Sequence, residues 1–186
     1  DSMTAGASMV FNGETSEAGA DFITVDDAAI NSATFANGYT MECIYYFPTD
    51  WTTADSWMSL IARQGRADSV SEWQQGTMFT SVSNCKEIQF ITANKDDSHM
   101  MSNAAWSVTM DKGGVWYHIA VTSDGHEIST YVNGCEAFRD YVSDDMKGLY
   151  ADPEDGRFRI GSSWWQEGGQ TLDKFLQGNL QEVRIS

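Results

Sequence analysis

Trp164 and Trp165 stand side by side in SSWWQEGGQ, among glycines and polar residues that offer little core of their own. Aromatic faces stack on the C–H surfaces of sugars, so an adjacent pair in this setting is a candidate sugar platform. The bland alternative is that one ring plugs an end of the fold, because tryptophan is usually well buried. Arg63 and Arg66 flank Gly65, and a guanidinium fork suits a carboxylate-bearing ligand. Against that, an arginine on an acidic chain often does no more than offset nearby carboxylates. Glu42 lies in YTMECIYYF, where alternation points it away from Met41 and Cys43, toward a ligand or simply toward solvent. Trp73, like Trp51, Trp57 and Trp106, is open between packing a loop and displaying its ring.

Catalytic groupings do not assemble in the same way. No glutamate begins a Glu-x-Asp-x-x-Glu run, which would set two carboxylates on one strand face to flank a glycosidic bond. His99, His118 and His126 show no H-x-H or H-x-x-x-H spacing for zinc. No G-x-S-x-G elbow, P-loop or G-x-G-x-x-G fingerprint is present. The expectation is a binding protein, not an enzyme.

The chain has 186 residues with 11 Lys+Arg against 27 Asp+Glu, a formal charge of -16. Such a surface repels phosphate backbones and anionic headgroups, which argues against nucleic acid and against bilayers as partners. No run of about 18 apolar residues appears, so nothing reads as a membrane-spanning helix. The acidity serves solubility, or some of it holds a divalent cation. Asp152, Glu154 and Asp155 form the densest acidic loop, without EF-hand spacing.

Three cysteines leave at least one unpaired. Cys43 reads as a small buried thiol. Cys85 and Cys135 both follow turn signals, so two hairpin tips meeting at one sheet edge would allow a disulfide, fitting an oxidising compartment. The composition predicts one domain over residues 1–186, with ends that look trimmed from a larger exported protein.

The elements that must carry these groups are short strands. VWYHIAVTSDGHEISTYVNGCEAF reads as three strands joined by turns at Asp124-Gly125 and Asn133-Gly134. Asn-Gly favours the positive φ of a type I′ turn. Twelve strands are expected, at 8–11, 22–25, 39–47, 57–63, 76–82, 87–92, 106–109, 115–122, 128–132, 136–141, 158–160 and 178–185. Residues 26–35 and 144–150 are each worth a turn or two of helix at most. The long connections at 49–56, 64–75, 93–105 and 162–176 are natural places for function.

Six of these segments, in order, resemble laminin G-like domains of the concanavalin A-like superfamily. They are MVFNG, YTMECIYYF, MSLIARQGR, the hairpin of GTMFTSV and EIQFITA, FRIGSS and FLQGNLQEVRIS, to which the Trp-x-His strand with its Tyr-Val-Asn-Gly turn adds a further likeness. The resemblance implies an all-β fold, an antiparallel jelly-roll sandwich. Its members are mostly sugar- or protein-binding modules, and sialic-acid-binding relatives hold a carboxylate with arginines. Laminin G-like domains commonly bind one calcium (Ca2+) at a loop rim. Relatives often carry Asp where Gln181 stands, which puts a metal site there in doubt, and the cysteine that pentraxins pair with the Cys43 position is replaced by Ala120. The expectation is therefore a non-catalytic, lectin-like module of an extracellular bacterial protein whose partner is a glycan or glycoprotein. A laminin G-type adhesion module is the alternative, and a glycan-cleaving enzyme the third reading.

Overall fold

The computed structural model describes residues 6–35, 37–51, 57–64, 76–82, 86–93, 100–110, 112–141, 157–164 and 172–186. Two six-stranded antiparallel sheets pack face to face. The front sheet has the order β1 (Met9–Asn12), β14 (Gln177–Ile185), β3 (Tyr39–Phe47), β8 (Val115–Ser123), β9 (Glu127–Val132), β10 (Cys135–Tyr141). The back sheet runs β2 (Ile23–Thr24), β11 (Phe158–Ile160), β4 (Met58–Gln64), β5 (Gly76–Val82), β6 (Glu87–Ala93), β7 (Met100–Thr109). A small ladder pairs β12 (Ser163–Trp164) with β13 (Leu172–Asp173). The expected jelly-roll sandwich is what forms.

Alternation explains the front sheet. Along β3, Tyr39, Met41, Cys43, Tyr45 and Phe47 are buried while the residues between them are partly exposed. Tyr117, Ile119 and Val121 of β8 meet them from the next strand, and Leu60, Phe90 and Phe158 close the core from the back sheet. Burying a core side chain of this size stabilises the fold by about 1.5–3 kcal/mol. Asn133 and Gly134 both adopt positive φ, 52° and 76°, as the β9–β10 turn demands. At the β8–β9 turn the Asp124 carboxylate accepts from the amides of His126 and Glu127 at 2.8 and 2.9 Å. The one helix among the described residues, α1 (Ala28–Ser32), is a single turn capped by Asp27.

Three expectations change. The strand expected at 106–109 begins at Met100, because β6 pairs with it residue by residue from Ala93 to Ile88. The connection 162–176 contains the β12–β13 ladder. Cys135 is exposed and its thiol is free, so the Cys85–Cys135 bridge is not formed. The reason is topological: β5 and β6 belong to the back sheet, whereas β9 and β10 belong to the front. Cys85 itself lies outside the described residues. Cys43 is buried, and burial, then the Glu42 charge, pushes its thiol up to about 12.

Candidate functional site

The outer face of the front sheet gathers side chains from five strands. Register sets Tyr46 of β3 opposite Trp116 of β8, Ile44 opposite His118, and Glu42 opposite Ala120. On the other side of β3, Arg184 of β14 lies opposite Glu42. Beyond β8, Tyr131 of β9 lies opposite Ala120. The β3 and β8 residues of this face share one side because side chains two apart on a strand point the same way.

The Tyr46 and Trp116 rings form a tilted pair, with centroids 5.3 Å apart and planes at 55°. Beside them, Glu42 is engaged through both oxygens. Its Oε2 lies 3.0 Å from His118 Nε2, and its Oε1 accepts from Arg184 Nη1 at 3.3 Å. Arg184 also approaches Glu182, at 3.6 Å. Further along the face Arg139 pairs with Glu127 at 2.7 Å and with Glu136 at 2.5 Å. The Glu136 carboxyl is held below its ordinary value by the hydrogen bond from Arg139. Partly exposed rings beside fixed donors and acceptors can stack on a sugar face and read its hydroxyls.

The cavities suit a sugar less well. A groove of about 210 Å³ opens between β1/β14 and β2/β11, lined largely by Met9, Phe11, Ile23, Ile160, Leu180 and Val183. Its polar lining is limited to Gln181 and Glu182, which is sparse for a molecule bearing a hydroxyl on most carbons. A second cavity, of about 60 Å³ beside Trp57 and Lys174, falls well short of the roughly 300 Å³ at which ligand pockets begin.

Of the residues singled out from sequence, Glu42 lies on this face. Arg63 does not. It is fully buried, with its guanidinium carbon 5.5 Å from the ring centroids of both Phe35 and Phe158, and it donates to the Ala33 carbonyl. Burial lowers its pKa to about 10, against a smaller opposing effect of Tyr39. A cation enclosed by core rings cannot clasp a ligand carboxylate at the surface, so that expectation is corrected. Trp164 is placed in β12 opposite Leu172. Trp165, Arg66, Trp73, Asp152, Glu154 and Asp155 lie outside the described residues. Among the described residues no group of three or more His, Cys, Asp or Glu could hold a metal ion.

Sequence reasoning passed over Tyr46, His118 and Arg184 as a site. Alternation already put Tyr46 on the same face as Glu42, and Trp116 on the same face as His118. The missing information was the β3–β8 register, which two separate strand patterns do not contain.

A family model described as the concanavalin A-like lectin/glucanases superfamily, Laminin_G_3, matches residues 17–186. No curated protein matches the sequence. Among solved structures, the chain is similar to the CBM40 of a Ruminococcus gnavus IT-sialidase bound to α2,3-sialyllactose. The identity is 12%, the TM-score 0.66, and the alignment covers 98% of this chain and 89% of that one. Mouse laminin α1 domains LG4-5 align at 10% identity and a TM-score of 0.62, over 99% of this chain and 42% of that one. A heptameric SAP-like pentraxin of Limulus polyphemus aligns at 15% and 0.51, over 80% and 63%. At these identities the structural likeness is one of fold. With the family match spanning most of its length, and with the sandwich that match requires, this chain belongs to the Laminin_G_3 family of the concanavalin A-like lectin/glucanases superfamily.

Proposed function

We propose that the protein is a non-catalytic carbohydrate-binding module whose sugar lies on the outer face of the front sheet. The observation that carries this reading is the Tyr46–Trp116 ring pair, set beside the Glu42–His118–Arg184 cluster on a sheet face that nothing among the described residues covers. The rings supply the stacking surface. Glu42, His118 and Arg184 orient hydroxyls through acceptor and donor atoms already fixed by one another. Pre-organised partners cost little side-chain entropy on binding, which favours recognition of a weakly binding ligand such as a sugar. A binding role fits Glu42, whose two oxygens are both engaged by neighbouring side chains and which has no second carboxylate opposite it on β8.

Trp164 and Trp165 remain candidates for a second aromatic contact, with Arg66 and Trp73 as further ligand residues. The same reading makes this a module of an exported protein that meets glycans outside the cell. A calcium ion held by the loop of Asp152, Glu154 and Asp155 stabilises the rim without taking part in chemistry. The test is a polysaccharide panel assayed by affinity electrophoresis with the parent and Trp116→Ala, circular dichroism confirming the fold of both. The expected result is retardation by at least one polysaccharide that Trp116→Ala weakens about tenfold, the worth of one good stacking contact. Binding to a laminin-type protein partner with no glycan bound at all would overturn the reading, as would glycan binding that Trp116→Ala leaves untouched.

A further inference from the structure

Resting on the carbohydrate reading of the front face, we infer that the ligand there is a single uncharged glycan chain, not an acidic one. The charge of the face decides it. Holding a sialic acid, a uronic acid or a sulfate requires a guanidinium or ammonium with charge to spare. On this face each described arginine already meets two carboxylates: Arg184 faces Glu42 and Glu182, and Arg139 faces Glu127 and Glu136. Four glutamates therefore stand against two arginines, with His118 as the further basic group, at Glu42. An incoming anion that captures either guanidinium displaces a glutamate that stays beside it, so the like-charge cost is not escaped by exchanging partners. The chain around the face carries -16, which adds a repulsive field. Arg63, whose sequence position suggested a carboxylate clamp, is enclosed between Phe35 and Phe158.

Ring geometry narrows the form of the ligand. A flat crystalline polysaccharide surface needs coplanar rings, whereas Tyr46 and Trp116 are tilted by 55°. Two planes at that angle cannot both lie against one flat surface. A single sugar chain can meet them in turn, with the C–H face of a pyranose on one ring and its edge toward the other. Neutral hydroxyls then meet the Glu42 carboxylate as donors, which is what a carboxylate can accept.

The test is a glycan microarray carrying neutral oligosaccharides beside their sialylated, uronic-acid and sulfated counterparts. It is probed with the parent, Trp116→Ala and Glu42→Gln at low and high salt, and the matched pairs are then titrated in solution. The expected result is that neutral members bind, acidic members of the same pairs bind about tenfold or more weakly, and high salt narrows the gap. Glu42→Gln should narrow it too, by removing one negative charge and leaving Arg184 with Glu182 as its one carboxylate partner of the two. Tighter binding of the acidic member, still lost in Trp116→Ala, overturns this inference and leaves the carbohydrate function standing. No glycan bound, or binding insensitive to Trp116→Ala, overturns the function and the inference with it. Retention on insoluble crystalline polysaccharide without binding to soluble chains overturns the single-chain form of the ligand.

Discussion

On the front sheet β3 alternates buried with partly exposed residues from Tyr39 to Phe47, whereas on the back sheet β4 is buried without a break from Met58 to Arg63. The cause is a further layer over the back sheet. Ser59 contacts Ser163 hydroxyl to hydroxyl at 2.6 Å, and its amide donates to the Lys174 carbonyl at 2.8 Å, so the connection from β11 to β14 lies against β4. Ser59, Ser162 and Ser163 are all buried there. Nothing among the described residues covers the front face in that way. The difference teaches that a sandwich of two amphipathic sheets leaves a site only where no connection folds back over the strands. It also separates the arginines: Arg63 is core, and Arg184 is 67% exposed on the open face.

That contrast can be broken most directly at its two arginines. Arg63→Ala leaves a cavity between Phe35 and Phe158 and an unmet Ala33 carbonyl, and should cost about 3 kcal/mol or more in urea denaturation. Arg184→Ala removes exposed ion pairs and should cost about 0.5 kcal/mol. Equal, small losses for both would show that Arg63 is not the core residue described here.

The calcium proposed for Asp152, Glu154 and Asp155, which fall between β10 and β11 in the sequence, supplies a second test. Saturation at a hundredfold excess over the dissociation constant should stabilise the fold by about 2.7 kcal/mol. Thermal midpoints measured with calcium and with EDTA at low ionic strength check this, and identical midpoints would remove the ion from the account.

Tyr46→Ala sharpens the front-face side of the comparison. It should weaken glycan binding about tenfold, the scale of one lost stacking contact, while the circular dichroism spectrum stays that of the parent. Binding unchanged in a folded variant would move the site off the ring pair.

The smallest effect concerns the turn that sets the β8 register. Amides of Glu127, then His126, hold the Asp124 carboxyl below the ordinary aspartate range. A depressed acid stabilises the fold above its unfolded value and ceases to do so as pH falls through its folded value. Asp124→Ala should therefore melt below the parent near neutral pH, and the two midpoints should converge as the pH drops well below 4, near which free aspartate titrates. A gap that persists in acid would assign the effect to something other than the carboxylate.

Much of the fold was legible residue by residue. YTMECIYYF alternates as a two-faced strand must, and Asn133-Gly134 marks the β9–β10 turn by backbone chemistry alone. MMSNAA, by contrast, carries no strong strand preference, and it joins β7 only because β6 pairs with it. Glu42 was legible as an outward residue, but its company was not. Arg63 misled because ARQGR reads as a strand ending in an exposed loop, while the carbonyl it reaches lies 30 residues away.

The sequence by itself determined the period-2 strands, the positive-φ turns, the acid excess and the family, since each rests on neighbours in the chain or on composition. The tertiary structure decided which strands lie side by side, which outer face stays open, and whether an arginine meets rings or water. Those outcomes depend on contacts between residues far apart in the chain. A one-residue slip in register would leave the strand patterns recognisable and dissolve the Tyr46–Trp116 pair.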